Sequence, residues 1–464
     1  MSTCTIRNSS NVGEELDRIS NLPEELIQNI LVRLPSIDAA ARTSVLSRRW
    51  RHFWTKLPSL SFQWDFEKPG AIIAALAAYS APTLNRLAFS AVHVLELSTV
   101  APWLEFASRR VAGNLTLNFS AALYQRQRLE LPVCEKATSI NLHVKHLRLP
   151  PAGSFTALVA LTIVGARIQG GDFEAVCQPR CPRLRRLAVR SATLVEATDV
   201  SVRSNSLEWL VFIVQGVGRL EVAAPKLRYF RAAAKAAGDN VPQAEPGVSD
   251  VNITSPVLED VAWYGEFDPR RHRFTEAGHR LRKLMVMDMT TAALMRRFYI
   301  VDELVLSFGI SPGIKGYKTF LNATSMIAKC EVLEVQVTTR RHAFPSAVLH
   351  LLRKSVGVAK LLIRLPRMGN KSCMEGCPCS LPDSCNTDKI QLDSLEEVEI
   401  LGFRGEFNQM KFINLLLDCH APILKKVYVR IPKDVKSINR TKNKKIRSII
   451  DGHPEIDVEF KLWS

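Results

Sequence analysis

Several things are scarce in these 464 residues, and each scarcity excludes something. No apolar run approaches the length of a membrane span, and the first sixteen residues (MSTCTIRNSSNVGEEL) lack the apolar centre of a secretory signal. The expectation is an intracellular protein, cytoplasmic, nuclear or both, with no membrane partner. There is no His-Glu-x-x-His pair and no glycine-rich loop ending in a phosphate-binding lysine, and the ten histidines are scattered. No catalytic group, resident cofactor or metal is therefore expected. Ten cysteines are too dilute across this length for a disulfide scaffold, so most should be buried free thiols.

What is present is a globular composition, 47% hydrophobic and 23% charged, long enough for two or three domains. The net charge of +17 favours acidic partners such as nucleic acid, inositol phosphates, an anionic membrane or an acidic protein face. Charge alone does not choose among them.

Between Asp17 and Leu60 the apolar residues predict three short helices. Asn21 can cap a helix with Leu22 first and Pro23 second, and Glu24 and Glu25 suit its positive end. Leu22, Leu26, Ile30 and Leu34 recur at helical spacing, thickened by Ile27 and Leu31, until Pro35 ends the run. Ser36 or Asp38 can start an alanine-rich helix. Ser47 can cap a third, on which Trp50, Phe53, Trp54 and Leu57 share one side. A module this small is below the size that normally stabilises itself, so it needs a partner surface. Leu22-Pro23-x-Glu25, Ile30-Leu31-x-x-Leu34-Pro35 and Ser44-Val45-Leu46-Ser47-Arg48-Arg49-Trp50-Arg51 follow in an order that resembles the F-box of plant F-box proteins. The resemblance implies docking onto a Skp-family adaptor and, through it, a cullin-based (SCF-type) ubiquitin ligase. The residues it implies for the adaptor face are Leu22, Pro23, Leu26, Ile27, Ile30, Leu31, Leu34, Pro35, Val45, Leu46 and Trp50.

After a hinge near Asp65 to Gly70 a phrase recurs: leucine or valine, two variable residues, an apolar residue, one variable residue, an apolar residue. It reads Leu84-Asn85-Arg86-Leu87-Ala88-Phe89, then Leu158 to Ile163, Leu184 to Val189, Leu207 to Phe212, Leu227 to Phe230, Leu258 to Trp263, Leu281 to Val286, Val301 to Leu306 and Val332 to Val337. From Leu158 the starts fall roughly 20 to 31 residues apart, a leucine-rich repeat period. Weaker copies are expected around Leu115-Thr116-Leu117 and Leu147-Arg148-Leu149. Each phrase predicts a strand whose alternating apolar residues enter a core shared with its neighbours, stacked into a parallel sheet, with outer helices or loops returning. Trp103 to Val111 and Asp172 to Cys177 read as two such helices. The missing asparagine ladder makes these repeats similar to the irregular ones of plant F-box proteins. On each strand the residue before the fourth position points outward, which nominates Arg186, Trp209, Tyr229, Asp260, Lys283 and Glu334 as target-binding positions. The segment from Ala232 to Asp250 reads as an excursion or tolerated insertion.

From Leu392 onward come a strand ending in Gly402-Phe403-Arg404-Gly405, a helix from Gln409 to Cys419, Pro422, and a strand over Leu424-Lys425-Lys426-Val427-Tyr428-Val429. This order is similar to the FBD domain at the C-terminus of many plant F-box proteins with leucine-rich repeats. Before it lies Cys373-x-x-x-Cys377-Pro378-Cys379 with Cys385, four thiols within thirteen residues. Four such thiols can reach one zinc ion. The Cys-x-Cys step reads as too tight for a cage, so no stoichiometric zinc is expected. A basic run through Lys425, Lys426, Arg430, Lys433, Lys436, Arg440, Lys442, Lys444, Lys445 and Arg447 has Tyr428 as its one aromatic residue, which argues against stacking on single strands.

The fold expected is thus α/β: a flexible leader (1–16), a three-helix F-box (17–62), an irregular leucine-rich-repeat solenoid (71–370), a Cys-rich loop (371–389) and an FBD-like α/β continuation (390–464). The functional expectation is a non-catalytic substrate receptor joining adaptor to target, the alternative being a nucleic-acid or phosphate-binding regulator that uses the basic C-terminal face.

Overall fold

The computed structural model describes residues 22–33, 43, 50, 53–64, 70–119, 127–177, 180–234, 247–288, 292–366, 373–388, 390–434 and 451–463. The chain divides into two compact units, Met1–Lys145 and His146–Ser464.

In the first unit, helix α1 spans Glu24–Val32. It starts two residues later than the sequence reading has it. Pro23 is extended (φ −56°, ψ 148°), and a proline steers the residue before it away from helical backbone, so Leu22 and Pro23 stay outside the helix. The Pro23 carbonyl caps the turn instead, accepting from the Leu26 and Ile27 N–H groups at 3.0 and 3.1 Å. Asn21, Leu34, Pro35, Val45, Leu46 and most of the second and third expected helices lie outside the described residues. Trp54–Lys56 forms a single 3-10 turn, with Trp50, Phe53 and Leu57 buried around it.

Strand β1 (Ser59–Gln63) follows at once, then helix α2 (Ala71–Ala78), β2 (Leu84–Ser90), helix α3 (Leu97–Arg110), β3 (Val111–Asn118), the two-residue β4 (Leu129–Glu130) and β5 (Ser139–His143). β1, β2, β3 and β5 pair in parallel, bringing Leu60, Leu87, Leu115 and Ile140 into one fully buried row. The copy expected at Leu115 is therefore β3. The copy expected at Leu147 is displaced: its place in the ladder belongs to Ile140-Asn141-Leu142, whose alternation supplies the two inward side chains.

The second unit opens with β6 (Leu147–Arg148), β7 (Ala160–Val164), β8 (Arg167–Gln169), helix α4 (Gly170–Cys177), β9 (Arg186–Val195), β10 (Asp199–Arg203), β11 (Trp209–Gln215) and β12 (Arg219–Ala223). It continues through β13 (Tyr229–Ala233), β14 (Asp250–Thr254), β15 (Asp260–Tyr264), β16 (His272–Thr275), β17 (Arg280–Val286), helix α5 (Ala292–Arg297), β18 (Ile300–Gly309), helix α6 (Gly313–Ala323) and β19 (Lys329–Thr338). Helix α7 (Phe344–Lys354), β20 (Lys360–Arg364), β21 (Glu397–Leu401), helix α8 (Phe407–Leu417), β22 (Lys426–Pro432) and β23 (Asp457–Trp463) complete it.

The repeated phrase supplies a parallel sheet, β7-β9-β11-β13-β15-β17-β18-β19-β20-β21-β22-β23. Its fourth position, Leu187, Leu210, Phe230, Leu284 and Leu304 among others, is fully buried across the strands. Turns leave the strands through glycines that need left-handed backbone, such as Gly216 (φ +84°) and Gly402 (φ +83°). The FBD-like segment does not start a new sheet: β21 pairs in register with β20, and β22 and β23 extend the ladder.

Two sequence expectations change here. The returning segments of the first half of this unit are strands: β10, β12, β14 and β16 pair in parallel into a second sheet. Its Phe274 meets Phe230 of the main sheet edge to face, ring centroids 6.2 Å apart. Helices take over the same role later, as where Phe320 of α6 lies 6.1 Å from Phe308 of β18. The excursion is also shorter than Ala232 to Asp250, because Ala232 and Ala233 end β13, Ala234 bridges Val248 and Asp250 begins β14.

Candidate functional site

Helix α1 is amphipathic twice over. Ile27 and Leu31 are buried in their own unit, while Leu26, Ile30 and Val32 stand 48, 41 and 52% exposed. Leu26 and Ile30 are one turn apart and Pro23, exposed, lies one turn earlier, so the three make an apolar ridge on one side of the helix. Of the adaptor-face residues expected, the structure places Pro23, Leu26 and Ile30 on this ridge and Leu22 half-buried beside it; Ile27 and Leu31 are buried on the inward side of the helix, and Trp50 is buried as well, so none of these three faces solvent. Val32 was overlooked because it falls outside the leucine spacing.

A second candidate surface is the outward face of the main sheet. Arg186, Trp209, Tyr229, Asp260 and Lys283 stand opposite one another on β9, β11, β13, β15 and β17. Glu334 is the exception. The residue opposite Lys283 is Glu303, which faces Val332, so Glu334 sits one pleat further along, beside Val305. The phrase in β19 runs Cys330-x-x-Leu333-x-Val335, and framing it from Val332 shifted the outward position by two residues.

The two halves of this face differ chemically. Trp209 and Tyr229 stack at 5.1 Å and 15°, with the Arg190 guanidinium 5.9 Å from the Trp209 ring and that of Arg231 4.7 Å from Tyr264. Further along, charges are matched across strands: Lys283 to Glu303 at 2.5 Å, Arg364 to Glu334 at 2.6 Å, Lys360 to Glu397 at 2.6 Å and Arg430 to Glu399 at 3.0 Å. Asp260 pairs with Arg282; its burial pushes the carboxyl pKa up, against the pull of that guanidinium. The aromatic and arginine end is thus the part of the face with polar and stacking capacity to offer a partner. Within the basic run, Arg430 is paired and the residues from Lys436 to Arg447 lie outside the described residues.

The sequence reading allows no nucleophile elbow, yet Gly309-Ile310-Ser311-Pro312-Gly313 has that spacing; its context disqualifies it. The residue after such a serine must lend its N–H to an oxyanion, and Pro312 has none.

The Cys-rich loop departs from expectation. His342, Cys373, Cys377 and Cys379 bring one ligand atom each to within 4.8 Å of one another, with Cys385 outside the set. Pro378 opens a 3-10 turn (Pro378–Ser380) that folds both sulfurs of the Cys-x-Cys step to one side, which removes the ground for calling that step too tight. The fourth group comes from His342, thirty-one residues before Cys373, and no spacing rule within the loop could have found it. Burial pushes the Cys377 thiol up to about 12. For Cys379 burial acts the same way, but hydrogen bonding, that from the Ala343 N–H foremost, brings it down to about 7.

These observations define a chain with an F-box-type helix bearing a free apolar ridge, joined to parallel repeat strands that carry an outward face. Residues 19–62 match the family model described as the F-box domain. The chain is 30% identical to F-box/LRR-repeat protein 25 of Arabidopsis thaliana over 229 residues, 46% of this chain and 85% of that one. It is 23% identical over 436 residues to a putative F-box/LRR-repeat protein of the same plant, covering 89% and 87% of the two chains. An F-box/FBD/LRR-repeat protein of that plant is 29% identical over 238 residues, 46% of this chain and 52% of its own length. The chain belongs to the F-box/LRR-repeat proteins.

Proposed function

We propose that the chain is a non-catalytic substrate receptor of an SCF-type ubiquitin ligase, working in the cytoplasm, the nucleus or both. The F-box docks a Skp-family adaptor, which holds a cullin, and the outward sheet face holds a target protein. The observation that carries this reading is the apolar ridge Pro23, Leu26 and Ile30, left to solvent within the segment that matches the F-box. An exposed apolar ridge on a small module is the surface a partner covers. The ligase reading assigns this chain proximity alone, since the transfer chemistry resides in other subunits and holding a target beside them raises its effective concentration. For the target, the end of the face around Trp209 and Tyr229 is favoured, because tryptophan, tyrosine and arginine dominate binding energy wherever they are desolvated together.

The test is reconstitution. Nuclease-treated full-length chain, mixed with a purified Skp-family adaptor and a cullin, should elute as one complex in equal stoichiometry, and should still do so in high salt because the contact is apolar. Failure to bind the adaptor, with retention on DNA or RNA that falls steeply with salt, would replace this reading by the nucleic-acid one.

A further inference from the structure

We propose that His342, Cys373, Cys377 and Cys379 form a closed structural site for one zinc ion, clamping the connections that follow β19 and β20 in the repeat stack. The four donor atoms converge to the scale of a tetrahedral cage, all within 4.8 Å of one another. Four donors held ~2.0–2.3 Å from a common centre at tetrahedral angles stand ~3.5–3.8 Å from one another. Here His342 Nδ1 lies 3.2, 3.5 and 3.6 Å from the sulfurs of Cys373, Cys377 and Cys379, and the last two sulfurs are 3.3 Å apart.

Hydrogen bonding among the side chains does not account for this convergence. His342 Nε2 stands 2.9 Å from the Ser311 carbonyl, an acceptor only, so Nε2 carries the proton and Nδ1 presents a single lone pair. One lone pair serves one thiol well, not three. A cation at the centre uses the lone pair and all three sulfurs at once. The Ser311 carbonyl is then the outer partner that orients a metal-bound histidine. It is itself held close, because a Cβ on Gly316 would fall 2.0 Å from that carbonyl oxygen. Tyr317 closes the other flank, its ring 5.1 Å from the imidazole, and it too is buried.

The donor set chooses the metal and the role. Three thiolates and one imidazole suit zinc rather than calcium or magnesium, which take oxygen ligands. Four protein ligands leave no open position for water or substrate, so the site is structural. Binding exchanges three thiol protons for the ion: Zn2+ displaces three H+ and forms three Zn–S bonds and one Zn–N bond, leaving the cage with one net negative charge.

The loop has reason to need it. Between Cys373 and Asp388 the buried side chains are those of Cys377 and Cys379, while Met374 and Leu381 are 66 and 52% exposed. Apolar burial within the loop is therefore too small to order it, and metal binding supplies folding energy in such cases. His342 follows β19 and the cysteines follow β20, so a single ion ties these two strand ends together, and the Nε2–H bond from His342 to the Ser311 carbonyl links them to the end of β18.

The experiment uses full-length chain carrying no polyhistidine tag, expressed with zinc and purified without chelator. Elemental analysis should give one zinc per chain, and X-ray absorption should give three sulfurs and one nitrogen about the ion at ~2.3 and ~2.0 Å. Exchange with Co2+ should produce the visible bands of a tetrahedral thiolate complex. Cys379→Ala should abolish stoichiometric zinc, His342→Cys should keep the ion and shift the cobalt bands towards a four-sulfur site, and Cys385→Ser should change neither. The absorption measurement on unaltered protein decides the matter even where a variant fails to fold. Protein without zinc and with four reactive thiols or a Cys377–Cys379 disulfide would overturn the proposal, and so would zinc that depends on Cys385.

Discussion

Replacing Leu26 by aspartate, beside Ile27→Ala as its control, separates docking from folding on neighbouring residues of one helix. Leu26 is about half exposed in the free chain, so covering the remainder contributes ~1 kcal/mol of the ~1.5–3 kcal/mol a fully buried leucine gives. Aspartate forfeits this and must lose water without an ionic partner, which adds a further few kcal/mol. A total of ~3 kcal/mol or more corresponds to at least a hundredfold weaker adaptor binding. The fold should hardly notice, since exposed substitutions stay within ~0.5 kcal/mol. Ile27 is fully buried, and truncating it to alanine should cost the F-box unit ~2–4 kcal/mol of stability. Calorimetric titration with purified Skp-family adaptor, together with thermal unfolding of the same samples, reads both effects. Leu26→Asp that folds normally and binds like the parent chain would refute the assignment of the ridge.

The remaining predictions address the stack itself. His350 packs 5.3 Å from Phe320 with Nε2 3.0 Å from the Thr324 hydroxyl, and burial brings its pKa down to about 4. Its unfolded value is ~6.5, so the unfolded chain binds the proton first; the stabilisation is complete above pH ~6.5, is lost as pH falls towards 4, and amounts to at most ~3 kcal/mol. Urea unfolding across that window should therefore show a pH slope that His350→Gln flattens, and an unchanged slope would contradict the burial argument. At Gly113 a methyl group would meet the Asn85 carbonyl at 2.0 Å, so Gly113→Ala should destabilise the first unit by ~3 kcal/mol or more, visible as a lowered Tm. Phe230→Ala, which empties a fully buried position between the two sheets, should cost ~3–5 kcal/mol in the same assay.

The parallel ladder was legible because each phrase pairs a leucine with an apolar residue two places on, the period of a strand with one buried face. The same alternation marks Val200 and Val202, Leu220 and Val222, and Val251 and Ile253, segments for which the repeat pattern predicts returning helices or loops. The local signal for the second sheet was present and was overridden by the repeat pattern expected of the family. In the F-box, leucine spacing located the helix, but which of its leucines face inward depends on what the unit packs beneath it; Ile27 and Leu26 look alike in the sequence and differ in the fold. The metal cluster was the least legible, because its histidine and its cysteines come from separate connections that only the stacking of β19 and β20 brings together.

The central claim, that one chain bridges an adaptor and a target on separate surfaces, is tested most directly by quantitative affinity purification of the full-length chain and of its Trp209→Ala, Tyr229→Ala double variant. Both positions are half-exposed, so the fold should persist. The account predicts that both forms recover the Skp-family adaptor and cullin in equal amount, while the proteins specific to the parent chain fall at least tenfold in the variant. Targets retained in full by the variant, or adaptor lost together with them, would contradict it.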